Sequence, residues 1–215
     1  MCIRDRYTGA SNGLRAAGGA NVLGYKNTFA GYTLSLEVDP GHFSSATATK
    51  GQSGDGGNTG AGTDRSGYNW ALTGSPMDGL NVGLGYGKEE DSGTAAANKQ
   101  DDTYTTGFFT YAVGGITLGY QLSAGNGGTT ATNSNEVEIM GASFAVNDSL
   151  TISVNSMENE FDKPSGTNVT EETDGVGISY TMGSAAIKMQ HNESDNNDGG
   201  TTSDESTEIA LSLSF

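Results

Sequence analysis

A single cysteine, Cys2, three prolines and two histidines stand among the 215 residues. One cysteine excludes an internal disulfide framework, and nothing about it suggests thiolate chemistry. The histidines, His42 and His191, lie far apart, each near a loop, and no second cysteine exists to complete a zinc site with them. No stretch approaches the roughly 18 consecutive apolar residues of a membrane-spanning helix, which excludes a helical span and leaves barrel strands open. Basic residues are scarce: 10 Lys and Arg face 26 Asp and Glu, a net charge of −16 that argues against a nucleic-acid partner. Large apolar residues are short as well. A hydrophobic content of 33% with 34 glycines does not fit the packed core of a soluble domain of this length. No Gly-x-Ser-x-Gly elbow occurs. "DNNDGG" at 195–200 begins like a calcium loop but lacks the acid at its fifth position and the glutamate at its twelfth.

What the sequence does have is alternation. Leu80, Val82, Leu84 and Tyr86 alternate with Asn81, Gly83 and Gly85, and Ile116, Leu118, Tyr120 and Leu122 alternate with Thr117, Gly119 and Gln121. Val176, Ile178, Tyr180 and Met182 follow the same period of two, which marks strands with one apolar face. Eleven strands are predicted, at about 20–26, 31–39, 67–74, 80–88, 103–113, 116–124, 135–146, 150–159, 174–182, 185–192 and 205–215. Within 104–113 and 136–146 the adjacent apolar pairs Phe108/Phe109 and Ile139/Met140 break phase, and a β-bulge is one way to do so. Tight, turn-forming connections ("KNTFAG", "GSPMDG", "VGG", "VNDS", "MGS") alternate with long polar ones at 41–66, 89–102, 125–134, 160–173 and 193–204. All tight turns therefore fall at one end of an antiparallel up-and-down meander, and all long loops at the other. Transmembrane β-barrels have that asymmetry.

The segments "KNTFAGYTLSLEV", "DGVGISYTMGSAAIKMQ" and above all the terminal "DESTEIALSLSF" make the chain resemble the trimeric Gram-negative general porins, most closely those of alphaproteobacteria. The resemblance covers nearly everything from Tyr7 onward. It implies a cell outer-membrane, multi-pass β-barrel, an all-β fold with the last eleven of sixteen strands present. It also implies a homotrimer set in outer-membrane lipid and lipopolysaccharide. The final strand would carry the C-terminal assembly signal Ile209, Leu211, Leu213 and Phe215, read by the barrel assembly machinery. Residues 7–215 would be the C-terminal part of one barrel domain, with 7–20 the tail of the constriction loop. "MCIRDR", residues 1–6, back-translates to a transposon end used in sequencing libraries and is expected to be an adapter artefact.

The function expected from this reading is a water-filled channel for passive diffusion of ions and small hydrophilic solutes, weakly cation-selective and not an enzyme. Parity assigns Glu37, Asn69, Asn81, Gln121, Asn155, Lys188, Gln190 and Glu208 to the pore lining, with Arg15 and Lys26 at the constriction. An acidic external mouth would comprise Glu89, Glu90, Asp91, Asp101, Asp102, Glu171, Glu172 and Asp174. No cofactor is expected beyond Ca²⁺ or Mg²⁺ held loosely at the acidic loops, where it would bridge to lipopolysaccharide phosphates. Two other classes share the composition: a secreted or surface-anchored adhesive β-rich protein, and an outer-membrane barrel enzyme. The first should show a fixed internal repeat, which the unequal strand units lack. The second needs a histidine-based or acid-pair site at the rim.

Overall fold

The computed structural model describes residues 23–39, 66–89, 101–126, 134–163 and 166–213. They form one antiparallel sheet in which each strand pairs with its neighbours in sequence, in the order β1 to β11. The strands are β1 Leu23–Phe29, β2 Tyr32–Asp39, β3 Gly67–Met77, β4 Leu80–Glu89, β5 Asp102–Val113 and β6 Ile116–Asn126, followed by β7 Ser134–Ala145, β8 Leu150–Asp162, β9 Val169–Met182, β10 Ala185–Asp195 and β11 Asp204–Leu213. A short 3₁₀ turn at Asn197–Gly199 lies between the last two. No helix among the described residues is long and apolar enough to cross a membrane. Residues 1–6 and 7–20, Arg15, His42, Glu90, Asp91 and Phe215 lie outside the described residues.

The period of two in the sequence becomes two unlike faces. In β9, Glu171, Thr173, Gly175 and Gly177 are buried while Glu172, Asp174, Val176 and Ile178 between them are exposed. The exposed, outward face carries the large apolar side chains: Leu84, Leu118, Val154, Val176, Ile178 and Ile187 are all open, and on β11 Ile209, Leu211 and Leu213 are 72%, 64% and 52% exposed. That inverts the soluble rule and matches a sheet whose apolar face meets lipid. Aromatic rings border the apolar band. Tyr68 and Tyr86 pair at 6.0 Å near its loop side, and Tyr120, within the band, stacks on Phe109 at 5.9 Å. Phe29, Tyr32, Phe144 and Tyr180 lie near the tight turns.

The turn between β1 and β2 shows why the register is firm. Ala30 (φ 50°) and Gly31 (φ 83°) both take left-handed backbone, the two-residue geometry that matches strand twist. Pairing then runs without slip from Phe29↔Tyr32 to Leu23↔Val38. The strand thus reaches Phe29, and the expected end at 26 is corrected.

The phase breaks have a different cause from the one expected. Pairing through β5, β6, β7 and β8 is continuous, with no bulge; the bulge is instead between Gly74 and Met77, in the β3–β4 pair. Phe108 keeps phase by pointing inward, where a Cβ on Gly83 would sit 2.2 Å from its ring. Glycine there is what makes room for the ring. Val137, Ile139 and Met157 also turn inward and form a buried apolar cluster. Across the sheet, Ile139 pairs with Met157 and Val137 with Asn159.

The opposed roles of the two faces predict the outcome of placing one charge on each. In the full-length protein, Leu211→Arg should cost more than Ser212→Arg, since arginine facing lipid loses its hydration, a cost of about 2 to 4 kcal/mol at mid-bilayer that declines toward the interface. Unfolding midpoints in detergent micelles or vesicles measure the difference, and equal midpoints would refute the facing.

Candidate functional site

The residues expected to line the interior do share the inner face, but they are not gathered. Glu37 pairs with Asn69, Lys26 with Ser35, Lys188 with Ser179 and Gln190 with Glu208. Most hydrogen-bond locally: Gln121 Nε2 donates to Ser123 Oγ at 3.0 Å, Gln190 Nε2 to Asn192 Oδ1 at 3.0 Å, and Asn81 Oδ1 accepts from Ser75 Oγ at 2.6 Å. Asn155 faces Gly175, where a Cβ would meet its amide oxygen at 2.6 Å.

The acidic residues expected at an external mouth divide between the two faces. Strands β8, β9 and β10 extend farther than alternation alone suggests, so Glu171, Glu172 and Asp174 belong to β9 rather than to a loop. Glu171 is wholly buried on the inner face, whereas Glu172 and Asp174 point outward with Val176 and Ile178. Glu89 is buried at the end of β4, opposite Asp102, and Asp101 forms a 2.6 Å ion pair with Lys88. The described acids thus stand on both faces at the loop ends of the strands, and Glu90 and Asp91 lie outside the described residues.

Around Glu171 the inner face is a closed polar network. Asn135 Nδ2 donates to Asn159 Oδ1 at 3.1 Å, and Asn159 Nδ2 donates to Glu171 Oε2 at 3.2 Å. Thr173 Oγ1 donates to Ser194 Oγ at 2.8 Å; the Ser194 hydroxyl in turn lies 2.8 Å from Asn197 Oδ1 and 3.4 Å from Glu171 Oε1. It has one proton, so the shorter bond to Asn197 takes it. Asn196, in left-handed backbone, donates to the Thr170 carbonyl at 2.9 Å, and Lys163 Nζ donates to the Gly199 carbonyl at 2.8 Å. The 3₁₀ turn is thereby tied to the ends of β8 and β9. A buried carboxylate is tolerated only when hydrogen-bonded, so Asn159→Ala should lower stability by about 1 to 3 kcal/mol. Urea titration of the full-length protein checks this; an unchanged midpoint would show that Asn159 does not support Glu171.

The outward face holds a second constellation, at the boundary between apolar and acidic residues. His191 continues the outward row of Ile187 and Met189, and its cross-strand partners are Val176 on β9 and Thr207 on β11. Its Nδ1 lies 2.8 Å from Thr207 Oγ1. Its Nε2 lies 3.4 Å from Glu193 Oε1 and 3.7 Å from Glu205 Oε1. With the ring proton on Nε2, facing the carboxylates, Nδ1 is free to accept the Thr207 hydroxyl proton. A hydroxyl, a base and a carboxylate that fixes the base's tautomer form the arrangement of an activated nucleophile. Among the described residues no group of three or more His, Cys, Asp or Glu could hold a metal ion. Sequence reasoning missed this constellation because Thr207 and His191 meet only through the β10–β11 register, across a loop whose length does not fix the pairing. The available signal was phase: His191 and Thr207 each sit two residues beyond an outward apolar residue, Met189 and Ile209.

Among the solved structures that the chain resembles are two outer-membrane proteins. "Outer-membrane expressed OmpT of Vibrio cholerae" aligns with a TM-score of 0.60 at 13% identity, over 91% of this chain and 65% of that one. The chain therefore spans less than two thirds of that protein's length. LpxR from Salmonella typhimurium aligns over 90% of this chain and 88% of that one at 10% identity, with a TM-score of 0.39 that carries no argument. No family model and no curated protein matches the chain. The fold is that of an outer-membrane β-barrel; the alphaproteobacterial general-porin family is not supported, and neither are ion transport or a homotrimer. The expected diffusion channel and the expected lack of enzymatic chemistry are corrected accordingly. The likeness to a solved structure shows the fold alone, and His191, expected near a loop, sits in a strand against a hydroxyl and two carboxylates.

Proposed function

We propose that the chain forms part of the wall of an outer-membrane barrel enzyme, a hydrolase acting on an ester at the outward, lipid-bordering surface. The observation that carries this reading is the 2.8 Å contact between His191 Nδ1 and Thr207 Oγ1, with Glu193 and Glu205 on the far side of the imidazole.

The chemistry follows from those four side chains. His191 removes the proton from Thr207 Oγ as that oxygen adds to the ester carbonyl. Glu193 and Glu205 stabilise the imidazolium that forms. The tetrahedral adduct collapses, the bond to the leaving alcohol breaks, and the alcohol oxygen takes the proton from His191. Water, activated by the same imidazole, then releases the carboxylic acid from Thr207 and restores the hydroxyl. The contacts to Glu193 and Glu205 are long, as is common in unliganded sites, and shorten when the ring becomes charged.

Position supports an amphiphilic substrate. Ile178, Met189 and Ile209 lie on the apolar side of His191 and the carboxylates on the other, so an ester held at the imidazole has its acyl chain on the band that faces lipid. The full-length protein in lipid vesicles should hydrolyse a long-chain acyl ester. His191→Ala and Thr207→Ala should each lower kcat/KM by at least about 100-fold, while heat-modifiable gel migration is retained. Absence of turnover in the unsubstituted protein, or equal turnover in His191→Ala, overturns the reading.

A further inference from the structure

We infer that this site, on the reading of His191 and Thr207 just given, selects ester amphiphiles whose headgroup carries positive charge. On the outward face, moving two residues from His191 toward the loops reaches Glu193, whose cross-strand partners are Asp174 on β9 and Glu205 on β11. Two residues farther, Asp195 pairs with Glu172. Like charges directly opposite one another repel across a sheet. Among the described residues no lysine or arginine shares the outward face of β8 to β11 to offset them: Lys188 alternates onto the inner face, and Lys163 reaches the Gly199 carbonyl. A cationic group bound here relieves that repulsion, and an anionic one adds to it.

Dimensions add a constraint on length. Strand rise is about 3.3 Å per residue, so the backbone of the first carboxylate row lies roughly 7 Å from that of His191 along the strand, and the Glu193 and Glu205 side chains reach back to 3.4 and 3.7 Å from its Nε2. An ester whose alcohol bears an ammonium group two carbons from the ester oxygen places its charge within reach of Asp174, Glu193 and Glu205 while the carbonyl lies at Thr207. Its acyl chain then runs over Met189 and Ile209. The three parts of the surface thus correspond to the three parts of one molecule, in the order chain, ester and cation.

The test compares three lauroyl esters of matched length in neutral vesicles with the full-length protein: lauroylcholine, lauroyl isethionate and 2-lauroyloxyethanol. At low ionic strength, kcat/KM should fall in the order cationic, neutral, anionic, with at least tenfold between the ends. The preference should shrink as salt shortens the Debye length. The combined substitution Glu172→Gln, Asp174→Asn and Asp195→Asn leaves Glu193 and Glu205 in place at His191. It should preserve turnover of the neutral ester and bring the cationic-to-anionic ratio down several-fold. Equal rates on the three esters overturn the headgroup inference and leave the hydrolase reading standing. An undiminished preference in the substituted protein overturns the assignment to these carboxylates. No turnover of any ester overturns the hydrolase reading and this inference with it.

Discussion

Every feature of this molecule depends on an unbroken ladder of backbone hydrogen bonds running across eleven strands. In hydrocarbon no water satisfies an open amide or carbonyl, so the sheet must pair strand to strand before any side chain can matter. Once it is paired, the period of two is rigid, and each residue's side is decided by its place in the ladder. Apolar residues can then cover the outside and polar ones the inside, although the chain has too few large hydrophobics for a soluble core.

That separation was largely readable in the sequence because the lower half of most strands alternates cleanly. Leu80 to Tyr86, Ile116 to Leu122 and Val176 to Met182 place their faces without help from structure. The tight turns were readable for a related reason: their glycines and asparagines leave few alternatives. Legibility ended where both faces become polar. "VTEETD" contains no apolar alternation after its first residue, so the start of β9 read as loop although its backbone pairs fully with β8. Phe108 and Ile139 misled in the opposite sense, since an inward apolar residue looks like a phase error until glycine or another inward side chain is seen beside it.

The candidate site was the least legible part. Interior positions followed from parity alone, whereas the meeting of His191 with Thr207 needs the offset between β10 and β11. Their connecting loop and its 3₁₀ turn leave that offset undetermined in the sequence. Glu171 and Glu172, adjacent and chemically alike, take opposite roles: one is a buried member of the Asn159 network, the other part of an exposed acidic row. Composition cannot separate them, but one strand position does.

The opposed carboxylates also make the ladder uneven along its height. Near the tight turns, β8 to β11 are held by apolar cross-strand pairs such as Ile152↔Ile178 and Met189↔Ile209. Near the loops, Glu158↔Glu172 and Glu193↔Glu205 push their strands apart. The sheet therefore behaves like a zipper fastened at its foot. Amide exchange should penetrate from the loop end downward, and dissolved cations should set how far it advances before the apolar teeth hold.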